Sequence, residues 1–221
     1  MPLYPILSAL LGYPEQELID ALPEIDTALA EWPQARHLLA PVTDMLRGEA
    51  LITLQENYVA TFDRNPSHSL HLFEHVHGES RDRGQAMVDL IDEYRRDGFE
   101  PAASELPDYV PLFLEFLGAL SADGKEARAE HLLGEAIHVL AAIGDRLARN
   151  QSPYAGVFAV LRTLTDVQPQ PQQEPPVRDM DEALETFGPG ADGVEPLLAP
   201  QTGPQAVKFY PRGTAPVPAH C

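Results

Sequence analysis

Cysteine is all but missing from this 221-residue chain: the one copy, Cys221, is the last residue. That excludes a disulfide framework, and it excludes a thiolate metal site within the chain. Long apolar runs are missing as well. The longest, such as Leu112–Leu114 and Val139–Ile143, fall far short of the ~20 residues a bilayer-spanning helix needs. The opening MPLYPILSALLGYPEQEL has no basic start and no small-residue cleavage site, so it reads as a helix rather than a signal peptide. A cytoplasmic protein is the expectation. Basic charge is scarce: 15 Lys and Arg stand against 34 Asp and Glu, a formal net charge of −19. Such a surface repels phosphate backbones and anionic membranes, which argues against nucleic-acid partners and against direct membrane insertion. It attracts basic peptides and speeds their capture in a salt-dependent way. Its plainer consequence is solubility.

Catalytic signatures are missing too. There is no H-E-x-x-H, no His-Asp dipeptide and no paired C-x-x-C. Gly124-Lys125 lacks the earlier glycine of a phosphate-binding loop, because position 119 is Ala. Residues 188–193, GPGADG, match G-x-G-x-x-G in letters only; no strand precedes them and no helix follows. Two-residue alternation with Gly/Asn turns is also lacking, so no strand is expected.

What the chain does have is helical periodicity up to residue 165. Ile6, Leu7, Leu10 and Leu11 form one apolar stripe; Leu38, Leu39, Val42 and Leu46 follow Pro33, which suits a first helical turn. Leu51, Leu54, Tyr58 and Phe62 make the next, then Met87, Leu90, Ile91 and Tyr94. Phe113 to Leu120, Leu133 to Leu147 and Val157 to Leu164 complete the series. The spacing predicts an all-α globule of about eight helices, joined by short turns at Gly12, Gly48, Gly98 and Gly124. Residues 166–221 differ: they hold half of the 22 prolines and few large apolar side chains. This Pro-rich tail is expected to be mostly disordered, with short ordered elements at 180–187 and 206–210.

Three stretches carry candidate chemistry. HLFEHVHGESRDRG, residues 71–84, packs three histidines, two arginines and several acids around Gly78. In a helix, His71 and His75 at i, i+4 share a face, and with His77 they suggest a metal-dependent hydrolase or metal carrier. The same histidines suit the negative end of a helix, which Gly78 would close with a left-handed residue. Ser80 fits the cap of the next helix, and Arg81 and Arg83, in so acidic a chain, call for carboxylate partners. In ELPDYVP, residues 105–111, Pro107 and Pro111 must lie in a loop or a first turn. That puts Asp108 at a helix start, as a cap for the Val110 N–H or as an acid on a groove lip; both roles can coexist.

LFEHVHGESRDRGQAMVDL (72–90), with Glu56-Asn57-Tyr58-Val59 and Phe62-Asp63-Arg64 before it and ELPDYVPLFLEFL (105–117) after it, strongly resembles the NarJ family. These are the assembly chaperones, or delta subunits, of respiratory nitrate reductase. Ala206-Val207-Lys208-Phe209-Tyr210 resembles the family's C-terminal element. The resemblance implies a TorD-like all-α chaperone domain over 1–165. It implies a protein that is not an enzyme and needs no cofactor of its own. Such a protein binds a basic amphipathic N-terminal segment of the reductase catalytic subunit. It keeps that subunit open for molybdenum cofactor and iron–sulfur insertion before membrane attachment. A client-binding groove is expected at Asp108, Tyr109, Phe73, Glu74, His75, His77, Arg81 and Arg83, with Tyr58 in the core. One departure stands out: the broader group has Pro-Asp-His at the groove lip, and here Pro107-Asp108 is followed by Tyr109.

Overall fold

The computed structural model describes residues 3–78, 80–101 and 105–170. The expected tail elements at 180–187 and 206–210 lie outside the described residues, as does Glu79. The described chain is all-α. Its helices are α1 (Leu3–Leu11), α2 (Gln16–Leu29), α3 (Pro33–Gly48), α4 (Leu51–Tyr58), α5 (Leu72–His77), α6 (Arg81–Arg96), α7 (Val110–Ala122), α8 (Glu126–Arg149) and α9 (Ala155–Arg162). A π turn, Val59–Asp63, extends α4, and a 3₁₀ turn covers Pro66–His68. Among the described residues no helix is long and apolar enough to cross a membrane.

The pattern explains the layout. α7 is apolar on nearly every side, so it must be covered all round. Val110, Phe113, Leu114, Phe116, Leu117 and Leu120 are all buried, against α1 on one flank and α8 on another. α8 and α9 pack together as consecutive helices, and α9 also packs on α3. Close approach there rests on two glycines. A Cβ on Gly144 would meet the Phe158 Cβ at 2.5 Å, and one on Gly156 would meet the Leu38 carbonyl oxygen at 1.9 Å. The π turn keeps Tyr58 and Phe62 together: both are buried, their ring centroids are 4.9 Å apart, and Tyr154 packs edge-on against Phe62. Beyond α9 the chain stays on α8. Val167 fills the notch over Gly134, and the Gln170 N–H donates to His138 Nδ1 at 2.9 Å.

Candidate functional site: an acid-rimmed groove floored by α5

α5 is too short to be stable by itself, since a single helical turn costs more order than its hydrogen bonds return. It is held from outside. His71, at its N-cap, pairs with Tyr109 in an isolated antiparallel bridge, and the Val110 N–H donates to the Leu70 carbonyl at 2.8 Å. The Asp108 carbonyl accepts the Leu72 N–H at 3.0 Å. The Asp108 carboxylate accepts the Phe73 N–H at 3.1 Å and contacts His71 Nδ1 at 3.3 Å. One residue thus satisfies two of the free donors at the start of α5.

This overturns the expected placement of Asp108. It caps α5, about 35 positions earlier in the chain, and not its own helix α7, where Tyr109 is the N-cap. Its side chain is 0% exposed, so it is no lip residue. Its charge is met within the fold, by His71. That contact raises the His71 pKa, with desolvation working against it.

The rest of the block is spent in the same way. Glu74 accepts from Arg83 Nη2 at 3.0 Å and from the Ser69 hydroxyl, which ties α5 to α6. Arg83 therefore has its expected carboxylate partner, while Arg81 is exposed at the start of α6. His75 points inward: Nε2 donates to the Ser69 carbonyl at 2.8 Å, and Nδ1 accepts from buried Arg146 at 3.2 Å. This requires a neutral ring, and burial with Arg146 alongside lowers the His75 pKa. His75 is accordingly a core residue and not a client contact. The metal reading fails on geometry. His71 precedes α5 and faces Asp108, His75 is enclosed, and His77 stacks edge-on against Phe73 at 5.8 Å. Among the described residues no group of three or more His, Cys, Asp or Glu is placed to hold a metal. Gly78 closes α5 at φ +55°, and Ser80 occupies the N-cap of α6 without a side-chain bond.

Beside this framework lies a groove of about 450 Å³ between α5, α6, α7 and α8. Its apolar surface comes from Leu72, Phe73, Val76, Leu90, Leu132 and Val139. Val76 is 51% exposed, a large apolar side chain presented to solvent. Asp89 and Glu93 stand on the α6 wall, and Glu135 on the α8 wall together with Arg128 and His131. Of the expected site residues only Phe73 lines this groove. Tyr109 is half-buried, its hydroxyl 3.0 Å from the Tyr58 hydroxyl, and Tyr58 is in the core. Sequence reasoning missed Val76, Asp89, Glu93 and Glu135. The available signal was the stripe Met87, Leu90, Ile91 and Tyr94: of the sixteen residues of α6 only Tyr94 is buried, so the apolar face exceeds what the core covers.

Fold and site together define an all-α protein with an apolar groove walled in part by acids. Comparison with known proteins makes this particular. The family model for the nitrate reductase delta subunit matches residues 22–160, and the chain belongs to that family. It is 38% identical over 164 residues to the probable nitrate reductase molybdenum cofactor assembly chaperone NarW of Escherichia coli K12, covering 74% of this chain and 68% of that one. It is 38% identical over 165 residues to the nitrate reductase molybdenum cofactor assembly chaperone NarJ of the same strain, covering 73% and 68%. The probable NarJ chaperone of Bacillus subtilis 168 is 32% identical over 157 residues, covering 70% and 83%. The all-α architecture is consistent with TorD-like chaperones.

Proposed function

We propose that this chain is a chaperone for assembly of respiratory nitrate reductase, and that it works by binding rather than by breaking bonds. Its client is the catalytic subunit, taken in the cytoplasm by a basic amphipathic N-terminal segment and held ready for molybdenum cofactor and iron–sulfur insertion before membrane attachment. Residues 1–165 are the working domain and 166–221 an appendage. The observation that carries this reading is the groove: an apolar floor through Phe73 and Val76 beneath walls bearing Asp89, Glu93 and Glu135, with Arg128 and His131 set among them. Apolar anchors of the client supply affinity, at ~1.5–3 kcal/mol for each large side chain fully buried. The acids supply orientation and on-rate. After the cost of ordering both partners, a reversible holder binds near ~1 μM, about −8 kcal/mol.

Calorimetry with a synthetic peptide of the catalytic subunit's N-terminal segment tests this. Binding near that affinity is expected, weakening as salt rises and weakened further by Val76→Asp. A peptide that fails to bind, or that binds with no response to salt or to Val76→Asp, overturns the reading.

A further inference from the structure

The two helical walls of the groove are fastened to each other. Glu93 on α6 and Arg128 on α8 both line it and form an ion pair. Arg128 Nε also lies 3.6 Å from Asp97 Oδ2, and Lys125 Nζ lies 3.0 Å from Asp97 Oδ1. Arg96 adds a second cation to Glu93. The two walls are thus joined by ion-pair distances, whereas a helix laid between them is about 10–12 Å across. A helical client cannot run the full length of the groove while Arg128 holds Glu93.

α6 is suited to yield. Tyr94 alone of its residues is buried, its hydroxyl donating to the Pro107 carbonyl at 2.6 Å, and positive-φ glycines, Gly78 and Gly98, stand just outside its two ends. Little apolar burial opposes a small outward movement.

We propose that Arg128 and Lys125 are resident stand-ins for the client's cations. The basic segment displaces them from Glu93 and Asp97, frees α6 from α8, and takes over the same carboxylates. This rests on the client reading above. It adds that the empty groove is latched, that the latch competes with the client, and that specificity lies in the exchange of one set of cations for another. A segment with apolar anchors but no cations would cost Glu93 its Arg128 partner, leaving only Arg96, and would strip Asp97 of both Lys125 and Arg128, so it is disfavoured.

The test uses the full chain, the same peptide, and the variants Arg128→Ala, Lys125→Ala and, as a control, Arg36→Ala. Arg36 is exposed on α3 and its loss changes net charge equally. The latch predicts that Arg128→Ala and Lys125→Ala bind the peptide about threefold or more tightly than wild type, the return expected for releasing a partly exposed ion pair. Arg36→Ala should change affinity less than about twofold, because screening at physiological salt limits distant charge. Amide exchange along α6, without peptide, should quicken in Arg128→Ala and not in Arg36→Ala. A merely structural arginine would weaken binding when lost. Affinity in both latch variants equal to or below the control overturns the latch, as does unchanged α6 exchange in Arg128→Ala. Absence of binding by wild type sinks the client reading itself.

Discussion

Asp108→Ala removes an acceptor that nothing nearby replaces. The Phe73 N–H loses its cap, worth ~1 kcal/mol at a helix start. His71 loses a charge-assisted partner, ~1.5–3 kcal/mol in general and toward the low end here, since its side chain is 28% exposed. The bond from Leu72 to the Asp108 carbonyl survives, because it uses backbone only. The loss is therefore about 3 kcal/mol. In urea, with a slope of ~2 kcal/mol per M, the midpoint should fall by about 1.5 M. Asp108→Asn keeps an oxygen for the Phe73 N–H and removes the charge, so it should cost about 1 kcal/mol and return the His71 titration, read by NMR, toward its ordinary value. Since Asp108 is enclosed, Asp108→Asn should leave peptide affinity near wild type. Two results refute the account: an Asp108→Ala midpoint within ~0.3 M of wild type, or an unmoved His71 titration in Asp108→Asn.

Two further outcomes follow from local geometry. Gly156→Ala drives a methyl group against the Leu38 carbonyl, so α9 and α3 must part; a loss of ~1–3 kcal/mol is expected by thermal or urea unfolding, and a neutral effect would show the helices to be less closely packed. The two histidines around α5 should shape stability against pH in opposite ways. His71 holds its proton more tightly folded than unfolded, so its contribution is complete below its ordinary value of 6.5 and fades as pH rises through the raised folded value. His75 is held neutral, so its contribution is complete above 6.5 and fades as pH falls toward the lowered folded value. The pair gives a shallow maximum near pH 6.5 in denaturation free energy. His71→Ala should flatten the alkaline side and His75→Gln the acid side; an unchanged profile in either variant refutes that assignment.

The helices were legible because burial writes a 3.6-residue period into the chain, and α1, α3, α7, α8 and α9 all follow their apolar stripes. About eight helices were expected and nine are described; the one without a stripe in the sequence reading is α2, although its buried Leu22, Ile25 and Leu29 do recur at helical spacing. The site was harder to read, for two physical reasons. Capping read along the chain looks only at neighbours, so Asp108 suggested a cap for α7; its carboxylate reaches α5 because the His71–Tyr109 bridge brings the two loops together. And a stripe on α6 does not say whether its face meets core or open groove, which depends on how far α8 stands from α6. Asp89, Glu93 and Glu135 were visible only as ordinary exposed-face acids.

The polar block at 71–84 and the groove are one device seen from two sides. An apolar floor left open to solvent is not stabilised by filling it, so the element forming it has to be secured from behind. α5 is secured by buried and half-buried polarity: Asp108 on its first turn and His75 to Ser69 and Arg146 inside, Glu74 to Arg83 and Ser69 nearer the surface. Such bonds are directional, and each half-made pair is costly in a low-dielectric setting, so the network fixes one position of Phe73 and Val76 where apolar packing alone would tolerate several. The opposite wall, α6, has the reverse character, with one buried tyrosine and exchangeable surface ion pairs. Under the proposed client reading, a rigid floor beside a yielding wall would let the groove recognise one pattern of anchors and still admit and release the bound segment.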